Sequence, residues 1–456
     1  EAIYKMYIST DTKNEFNELL VSRSNLINSL RLIIQDINVL KKRGGNENIL
    51  EKYYKDEEKL STNLKSINEI LNEKYDDKFE YYFERNVQID DIQRYLNDDE
   101  AIINYSLYHN YNYFFYIDKN QTQIIKLDLN NTRLKNKIIE FNKKLTNQIA
   151  IDDISNEIYE MLFKPVENFN SKNKIFVSYE GILSNIPFSA LKNNETWLVE
   201  EYIFSYIPTI SSFVYLHKNL NSNFNNILVG FADPNLSNNE DSKLSINLIS
   251  NVLRSNNTEL SENIKLLPSL PNTKSELRKI SNILRDDKSL YFGENATEIN
   301  LKNTDLSTKY LVFATHALLP GDLDKNSEPA LVLTPPANIM SSEDDGILSS
   351  NEILDLNLNT NITVLSACNT AIQDELRGES LSGLTKSFFY AGSQNVLSTL
   401  WSIETFSAEE MTTNFFLNTK THNYSKSIQL SKINLLNSEK YSHPFYWAPF
   451  IVAGID

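Results

Sequence analysis

Two short apolar runs constrain this chain more than anything else in it. Tyr310-Leu311-Val312-Phe313-Ala314 and Ile362-Thr363-Val364-Leu365 are rich in β-branched and large apolar residues, and each stops at small or polar ones. Such runs read as strands buried on both faces. The stretch between them is too long for a hairpin and long enough for a crossover, so two parallel strands of one sheet are expected. The first run ends on Thr315 and His316, the second on Ser366, Ala367 and Cys368. In open α/β sheets, ligands and chemistry gather at the carboxyl ends of strands. If the two are neighbours, roughly 5 Å apart, their tips place an imidazole beside a thiol. That is the minimal equipment for cysteine nucleophilic catalysis.

Alternation of short strands with amphipathic helices continues along most of the chain. It gives the fold class: α/β, a mainly parallel sheet flanked by helices, preceded by an α-helical hairpin. In the hairpin, Phe16, Leu19, Leu20, Leu26, Ile27, Leu30, Ile33, Ile34, Ile37 and Leu40 recur at helical spacing. Gly44-Gly45 breaks the pattern, and Tyr53, Leu60, Leu64, Ile67 and Leu71 resume it. It reads as a packing element or a short coiled coil. Ala101–Tyr108, Tyr111–Ile117 and Thr122–Leu127 then predict an antiparallel meander. The aromatic run Tyr111–Tyr116 lacks the basic flanks of a base-stacking platform and reads as a half-buried strand. Further helices are expected near 131–146, 152–164, 273–284, 297–302, 380–391, 405–417 and 424–436. Further strands are expected at Lys174–Ser178, Asn226–Phe231, Leu290–Phe292, Asn395–Leu400 and Phe450–Ala453. The polar stretch from Ala232 to about Ile264 reads as a mobile surface loop, by default a plain insertion and alternatively the place of a processing site.

Composition narrows the function. At 456 residues the chain exceeds one ordinary core, and its 41% apolar content supports globular folding. A net charge of −16 opposes polyanions, and the densest basic run, Lys41-Lys42-Arg43, is too short to offset it. Nucleic acid is therefore not an expected direct ligand. No apolar run approaches the ~18 residues that would span a bilayer, and no signal peptide is visible. The chain begins with Glu1, which suggests a piece of a longer protein. Its single cysteine excludes an internal disulfide and fits a reducing, cytoplasmic setting. The five histidines, His109, His217, His316, His422 and His443, are scattered, with no second cysteine, so neither metal nor cofactor is expected. A lone cysteine on a strand is by default a small core residue. What points Cys368 toward catalysis is its place at a strand exit, after a similarly placed histidine.

A resemblance to a known family rests on blocks around these strands. They are F-A-T-H-A (Phe313–Ala317), E-P-A-L-V-L (Glu328–Leu333), D-G-I-L-S-S-N-E-I (Asp345–Ile353) and V-L-S-A-C-N-T-A (Val364–Ala371). R-G-E-S-L-S-G-L (Arg377–Leu384), A-G-S-Q-N-V-L-S-T-L-W (Ala391–Trp401) and H-P-F-Y-W-A-P-F (His443–Phe450) follow. Their order resembles that of CHAT-domain peptidases, bacterial relatives of caspases and separases. Weaker blocks, G-I-L-S-N-I-P-F-S-A-L (Gly181–Leu191) and L-P-N-T-K-S-E-L (Leu270–Leu277), extend the resemblance upstream. The His-to-Cys separation of about 50 residues matches that of caspases, while the caspase signature Q-A-C-[RQG]-G is absent.

The resemblance implies an inactive caspase-like half ahead of an active one. With the hairpin, this divides the chain into residues 1–78, 79–265 (meander, helices and inactive half) and 266–456 (active half). CHAT domains commonly follow tetratricopeptide repeats, so the hairpin also reads as the end of such an array, although the W-x2-L-G-x2-Y signature is absent. Members resembling this chain serve bacterial antiviral defence, cleaving gasdermin-like pore formers or working with CRISPR effectors. The implied partners are thus a protein substrate and an activating protein or CRISPR effector at the N-terminal helices. The residues do not choose among them.

The implied chemistry is a His/Cys dyad. A free thiol, with a pKa near 8.5, is only about a few per cent ionised at neutral pH. His316 must therefore take the proton of Cys368 or stabilise its charge, then protonate the leaving amine. The backbone N–H groups of Cys368 and Ala317 are the expected oxyanion donors. Many relatives carry Gly at the latter position, and Ala is tolerable where φ is negative. No G-x-S-x-G elbow surrounds Ser366, and His443 reads as packing the closing strand. Asp374, Glu375 and Glu379 follow the nucleophile, and Glu404 follows L-S-T-L-W, where separases resemble this chain and carry a pocket acid. An acid in the pocket would favour Arg or Lys at P1, with Glu404 the first choice. Otherwise all four are solvated loop charges, and P1 is apolar. The rival to an endopeptidase is a non-catalytic interaction scaffold that binds through the hairpin and has an inactive α/β core. Such a chain is expected to lose His316 or Cys368, and both are present.

Overall fold

In a computed structural model of the chain, both apolar runs lie inside strands, Ser307–Ala314 and Asn359–Leu365. Leu311, Val312, Phe313, Ile362 and Val364 are wholly shielded from solvent. The structure describes residues 47–79, 87–108, 111–165, 172–179, 181–236, 267–285, 287–318, 329–336, 344–366, 383–401 and 405–456. It also describes isolated positions, among them Leu26, Ile33, Ile37, Leu40, Ile264 and Ile403. The chain divides into two compact units, Glu1–Asn86 and Val87–Asp456. In the first, helix α1 (Glu47–Phe79) carries Tyr53, Leu60, Leu64 and Ile67 half-buried. Of the helix expected before it, Leu26, Ile33, Ile37 and Leu40 are helical and Ile37 is buried. Most of residues 10–42, and most of the polar stretch after Ala232, lie outside the described residues.

The strands of the second unit begin with β1 (Glu100–Tyr108), β2 (Tyr111–Asp118), β3 (Thr122–Lys126), β4 (Lys174–Tyr179), β5 (Lys192–Asn193), β6 (Thr196–Trp197), β7 (Ile203–Tyr206) and β8 (Asn226–Pro234). They continue with β9 (Lys288–Gly293), β10 (Ser307–Ala314), β11 (Ala317–Leu318), β12 (Ala330–Val332), β13 (Ile347–Ser349), β14 (Asn359–Leu365), β15 (Ser393–Thr399) and β16 (Phe450–Gly454). Among them is an 11-stranded sheet in the order β3-β2-β1-β4-β7-β16-β15-β14-β10-β8-β9. β1, β2 and β3 form the antiparallel meander at one edge. β1, β4, β7 and β16 are parallel to one another, as are β15, β14, β10, β8 and β9. β15 pairs antiparallel with β16. Two parallel blocks of opposite direction thus meet at one seam, and their carboxyl ends face opposite edges of the sheet. The grouping does not follow residue 265: β8 joins the second block, and β16, late in the chain, joins the first.

At the seam every residue of β15 and β16 is buried. Some of the polar side chains of β15 are paired: Ser393 Oγ lies 2.9 Å from Thr363 Oγ1 of β14, and Asn395 Nδ2 donates to the Asn361 carbonyl at 3.0 Å. The flanking helices include α2 (Asn131–Thr146), α3 (Asp152–Leu162), α4 (Ile210–Lys218), α5 (Pro271–Leu284) and α6 (Glu298–Asn303). α7 (Ser350–Asp355), α8 (Gly383–Ala391), α9 (Thr405–Asn418) and α10 (Tyr424–Leu436) follow. Helix α5 lies on β8 and β10 and against α9. Its close approach requires Gly230, where a Cβ would stand 2.6 Å from a methyl of Leu277.

Candidate active site

β10 and β14 are adjacent and parallel, with Val312 level with Val364 and Phe313 level with Leu365. One step further, the Ser366 N–H donates to the Phe313 carbonyl at 2.9 Å. The two strands therefore end together at the same edge of the sheet. The chain beyond β10 is clamped at once. The Thr315 hydroxyl donates to the Val332 carbonyl, and the Val332 N–H donates to the His316 carbonyl at 2.9 Å. His316 leads into β11, the edge strand of a three-stranded antiparallel sheet with β12 and β13. Leu236, Ile264, Leu267, Leu318, Ala330, Val332 and Ile347 form one apolar cluster with this platform. F-A-T-H-A thus combines buried strand, clamp and imidazole in consecutive residues.

The His316 residue is 5% exposed, and its Nε2 lies 2.8 Å from the Pro268 carbonyl oxygen. A carbonyl only accepts, so Nε2 carries the hydrogen and the neutral ring keeps a lone pair on Nδ1. Burial holds the imidazole below its ordinary pKa, with the Pro268 carbonyl acting in the opposite sense. At neutral pH it is an uncharged base. The carbonyl is itself fixed, because Leu267 is 3% exposed in the cluster and α5 starts at Pro271. Sequence reasoning missed Pro268, since a backbone acceptor has no side-chain signature.

Ala317 opens β11. His316 and Val332 are a hydrogen-bonded pair, so alternation along the ladder turns the Ala317 N–H away from β12. Non-glycine residues with positive φ among the described ones are Gln148, Asn194, Asp233 and Arg285, and Ala317 is not among them. Cys368, Asp374, Glu375, Glu379 and Glu404 lie outside the described residues. The structure brings together the histidine, the Ala317 N–H and the two strand exits.

Beside the β14 exit stands a carboxyl that sequence reading passed over. Glu276, on α5 and 2% exposed, accepts hydrogen bonds from Ser366 Oγ at 2.6 Å and from Thr412 Oγ1, on α9, at 2.9 Å. Burial pushes this carboxyl up to about 7, against the pull of the two hydroxyls. Its only signal in the sequence is membership of the block Leu270–Leu277. Other blocks have structural explanations. Glu298 accepts the N–H groups of Asp345 and Gly346 at 3.1 and 2.8 Å, fixing the start of D-G-I-L-S-S-N-E-I. Ser349 and Glu352 of the same block form a capping box. His443 uses both ring nitrogens, accepting from the Phe445 N–H at 3.1 Å and reaching the Ile149 carbonyl at 3.1 Å. Among the described residues, no group of three His, Cys, Asp or Glu is arranged to hold a metal.

A large, mainly parallel sheet flanked by helices, with a buried histidine at a central strand exit, defines a caspase-like α/β protein. Residues 152–455 match the CHAT domain, and the chain belongs to the CHAT-domain family. Among solved structures it is similar to a chain of the Saccharomyces cerevisiae separase–securin complex. That match has a TM-score of 0.50 and 10% identity, over 80% of this chain and 30% of that one. It is a likeness of fold. The complex of the pro- and mature domains of Porphyromonas gingivalis RgpB is similar at a TM-score of 0.40 and 8% identity, over 71% of this chain and 75% of that one. Tetratricopeptide repeat protein 28 of Mus musculus is 31% identical over 112 residues, which is 24% of this chain and 4% of that protein. The chain thus spans a small part of the mouse relative and under a third of the separase chain. Among the described residues, no helix is long and apolar enough to cross a membrane.

Proposed function

We propose that the protein is a cysteine endopeptidase in which Cys368 and His316 form the catalytic dyad and cut a protein substrate at few sites. The observation that carries this reading is the level, adjacent exit of β10 and β14. One exit leads to a buried neutral histidine, and the other runs into the segment holding the chain's only thiol. His316 takes the thiol proton on Nδ1 while Nε2–H stays on Pro268, and the thiolate adds to the peptide carbonyl. The Ala317 and Cys368 N–H groups receive the oxyanion. The imidazolium then protonates the departing amine, and water hydrolyses the acyl-enzyme by the same proton relay.

Substrate choice falls to Glu404, with Asp374, Glu375 and Glu379 as further candidates for a P1-reading acid. Control falls to a protein at the N-terminal helices, in a cytoplasmic defence setting. Likeness to a tetratricopeptide repeat protein and to a separase held in complex with securin supports a protein partner. The test is a P1 peptide-library screen of the full chain together with the products of its neighbouring genes. Cys368→Ala and His316→Ala should each lower turnover by about 10³-fold or more, with circular dichroism unchanged. Turnover retained in either variant removes the dyad.

A further inference from the structure

We propose that Glu276 is a positioning residue for the nucleophile segment: its buried carboxyl ties the exit of β14 to helix α9 and, by gaining or losing one proton, sets how readily the Cys368 thiol ionises. Its catalytic meaning rests on the dyad proposed above; the coupling itself does not.

The Ser366 and Thr412 hydroxyls have acceptors in either protonation state. As a carboxylate, Glu276 accepts through one oxygen from both Ser366 and Thr412. The Thr412 hydroxyl also has its own helix carbonyls within reach, Ala408 at 3.0 Å and Glu409 at 3.2 Å. When Glu276 is protonated, Thr412 can return its hydrogen to one of them and accept from the acid. Neither state strands a buried donor, so the site is built to change protonation rather than to hold one form.

Among the described residues, the charged side chains nearest this carboxyl have other partners. Glu409 of α9 faces it and is paired with Lys279 of α5. Lys274, toward the start of α5, interacts with Asp233 at the end of β8. Just beyond β14, Ser366 contributes its hydroxyl. Beyond β10, His316 is held below its ordinary pKa and tied to Pro268.

Covalent geometry bounds the coupling. Cys368 follows Ser366 by two residues, so its sulfur cannot be more than about 15 Å from the Glu276 carboxyl. Across that distance, at an effective dielectric of about 20, a negative charge disfavours a thiolate about sixfold. Below about pH 7 the acid is protonated and the penalty vanishes.

Cys368 is the only cysteine of the chain, so its alkylation by iodoacetamide reads the coupling without any substrate. Rates measured from about pH 5.5 to about pH 9 on the full chain should follow different curves for the native protein and for Glu276→Gln, whose amide oxygen still accepts both hydroxyls. The variant should label about fivefold faster near pH 8, less so toward pH 9 as both thiols ionise, and converge with the native protein in acid. Superimposed curves overturn the proposal. So does a uniform loss at every pH, which marks a purely structural role. If Glu276→Gln does not fold, Thr412→Val keeps the acid and removes one donor to its charged form. Glu276 then holds its proton to higher pH, and the labelling curve moves in the same direction; an unmoved curve again overturns the proposal. A shifted curve in a protein whose turnover survives Cys368→Ala refutes the dyad alone. An unshifted curve in a protein inactivated by Cys368→Ala refutes only the role of Glu276.

Discussion

Replacing Lys432 by methionine should stabilise this protein, and by an amount that depends on pH. Lys432 lies on α10, is 4% exposed, and donates to Ser189 Oγ at 2.9 Å. No carboxylate pairs with it among the described residues. Burial drops its pKa from 10.5 to about 7. The unfolded chain therefore binds the proton more tightly than the folded one. The stability tied to this group is complete above the unfolded value and is lost as pH falls toward about 7. Each pH unit across that gap is worth about 1.4 kcal/mol, so about 4 kcal/mol is missing at pH 7 and about 2 kcal/mol at pH 9. Methionine keeps the apolar stem and abandons one hydrogen bond to Ser189, a loss of about 1 kcal/mol. The net gain is then about 3 kcal/mol at pH 7 and about 1 kcal/mol at pH 9.

Urea unfolding at several pH values reads this difference through Trp447, which is fully buried with its ring 5.8 Å from that of Trp197. Other titrating groups, Glu276 and Glu298 among them, are common to both proteins and cancel in the comparison. A gain that does not change with pH, or a methionine variant less stable at pH 7, would show that Lys432 is charged and paired in the fold and would refute the reasoning.

The contrast between Lys432 and His316 shows what a sequence discloses. His316 was legible because a strand exit can be read from where a β-branched run stops. The same logic located β4, β8, β10, β14, β15 and β16 as elements. It could not supply their neighbours, since side-chain alternation says which face is buried and not which strand lies alongside. Hence β8 and β16 fall outside a division at residue 265, and the seam between two opposed blocks was not foreseen. β7, four residues reading I-F-S-Y, and the short strands β11 to β13 carry too little pattern to be seen. Glu276 and Lys432 are ordinary charged residues of amphipathic helices until distant partners enclose them. Ser366 and Thr412 reach Glu276 from 90 and 136 residues away, and Ser189 lies 243 residues from Lys432. Pro268 acts through its backbone and is invisible to any reading of side chains.

Two further substitutions test backbone and specificity. Gly392→Ala places a Cβ 2.1 Å from the Leu358 carbonyl oxygen at φ +116° and should destabilise by about 3 kcal/mol or more. Gly293→Ala, at φ +53° with nothing within 4 Å, should cost only about 1–2 kcal/mol. Equal melting temperatures for the two variants would sink the steric account. Glu404→Gln tests the proposed P1 acid. A charge-assisted hydrogen bond to a buried Arg or Lys contributes about 1.5–3 kcal/mol, so kcat/KM for a basic P1 should fall about 10- to 100-fold. Hydrolysis of Leu or Met at P1 should stay within about twofold, because an apolar side chain makes no such bond and the amide fills the same space. With Glu404 as the P1-reading acid, Asp374→Asn, Glu375→Gln and Glu379→Gln should change neither ratio. An equal drop for basic and apolar P1 residues would make Glu404 a structural residue, and a selective drop in one of the other three would move the pocket to the segment just after the nucleophile.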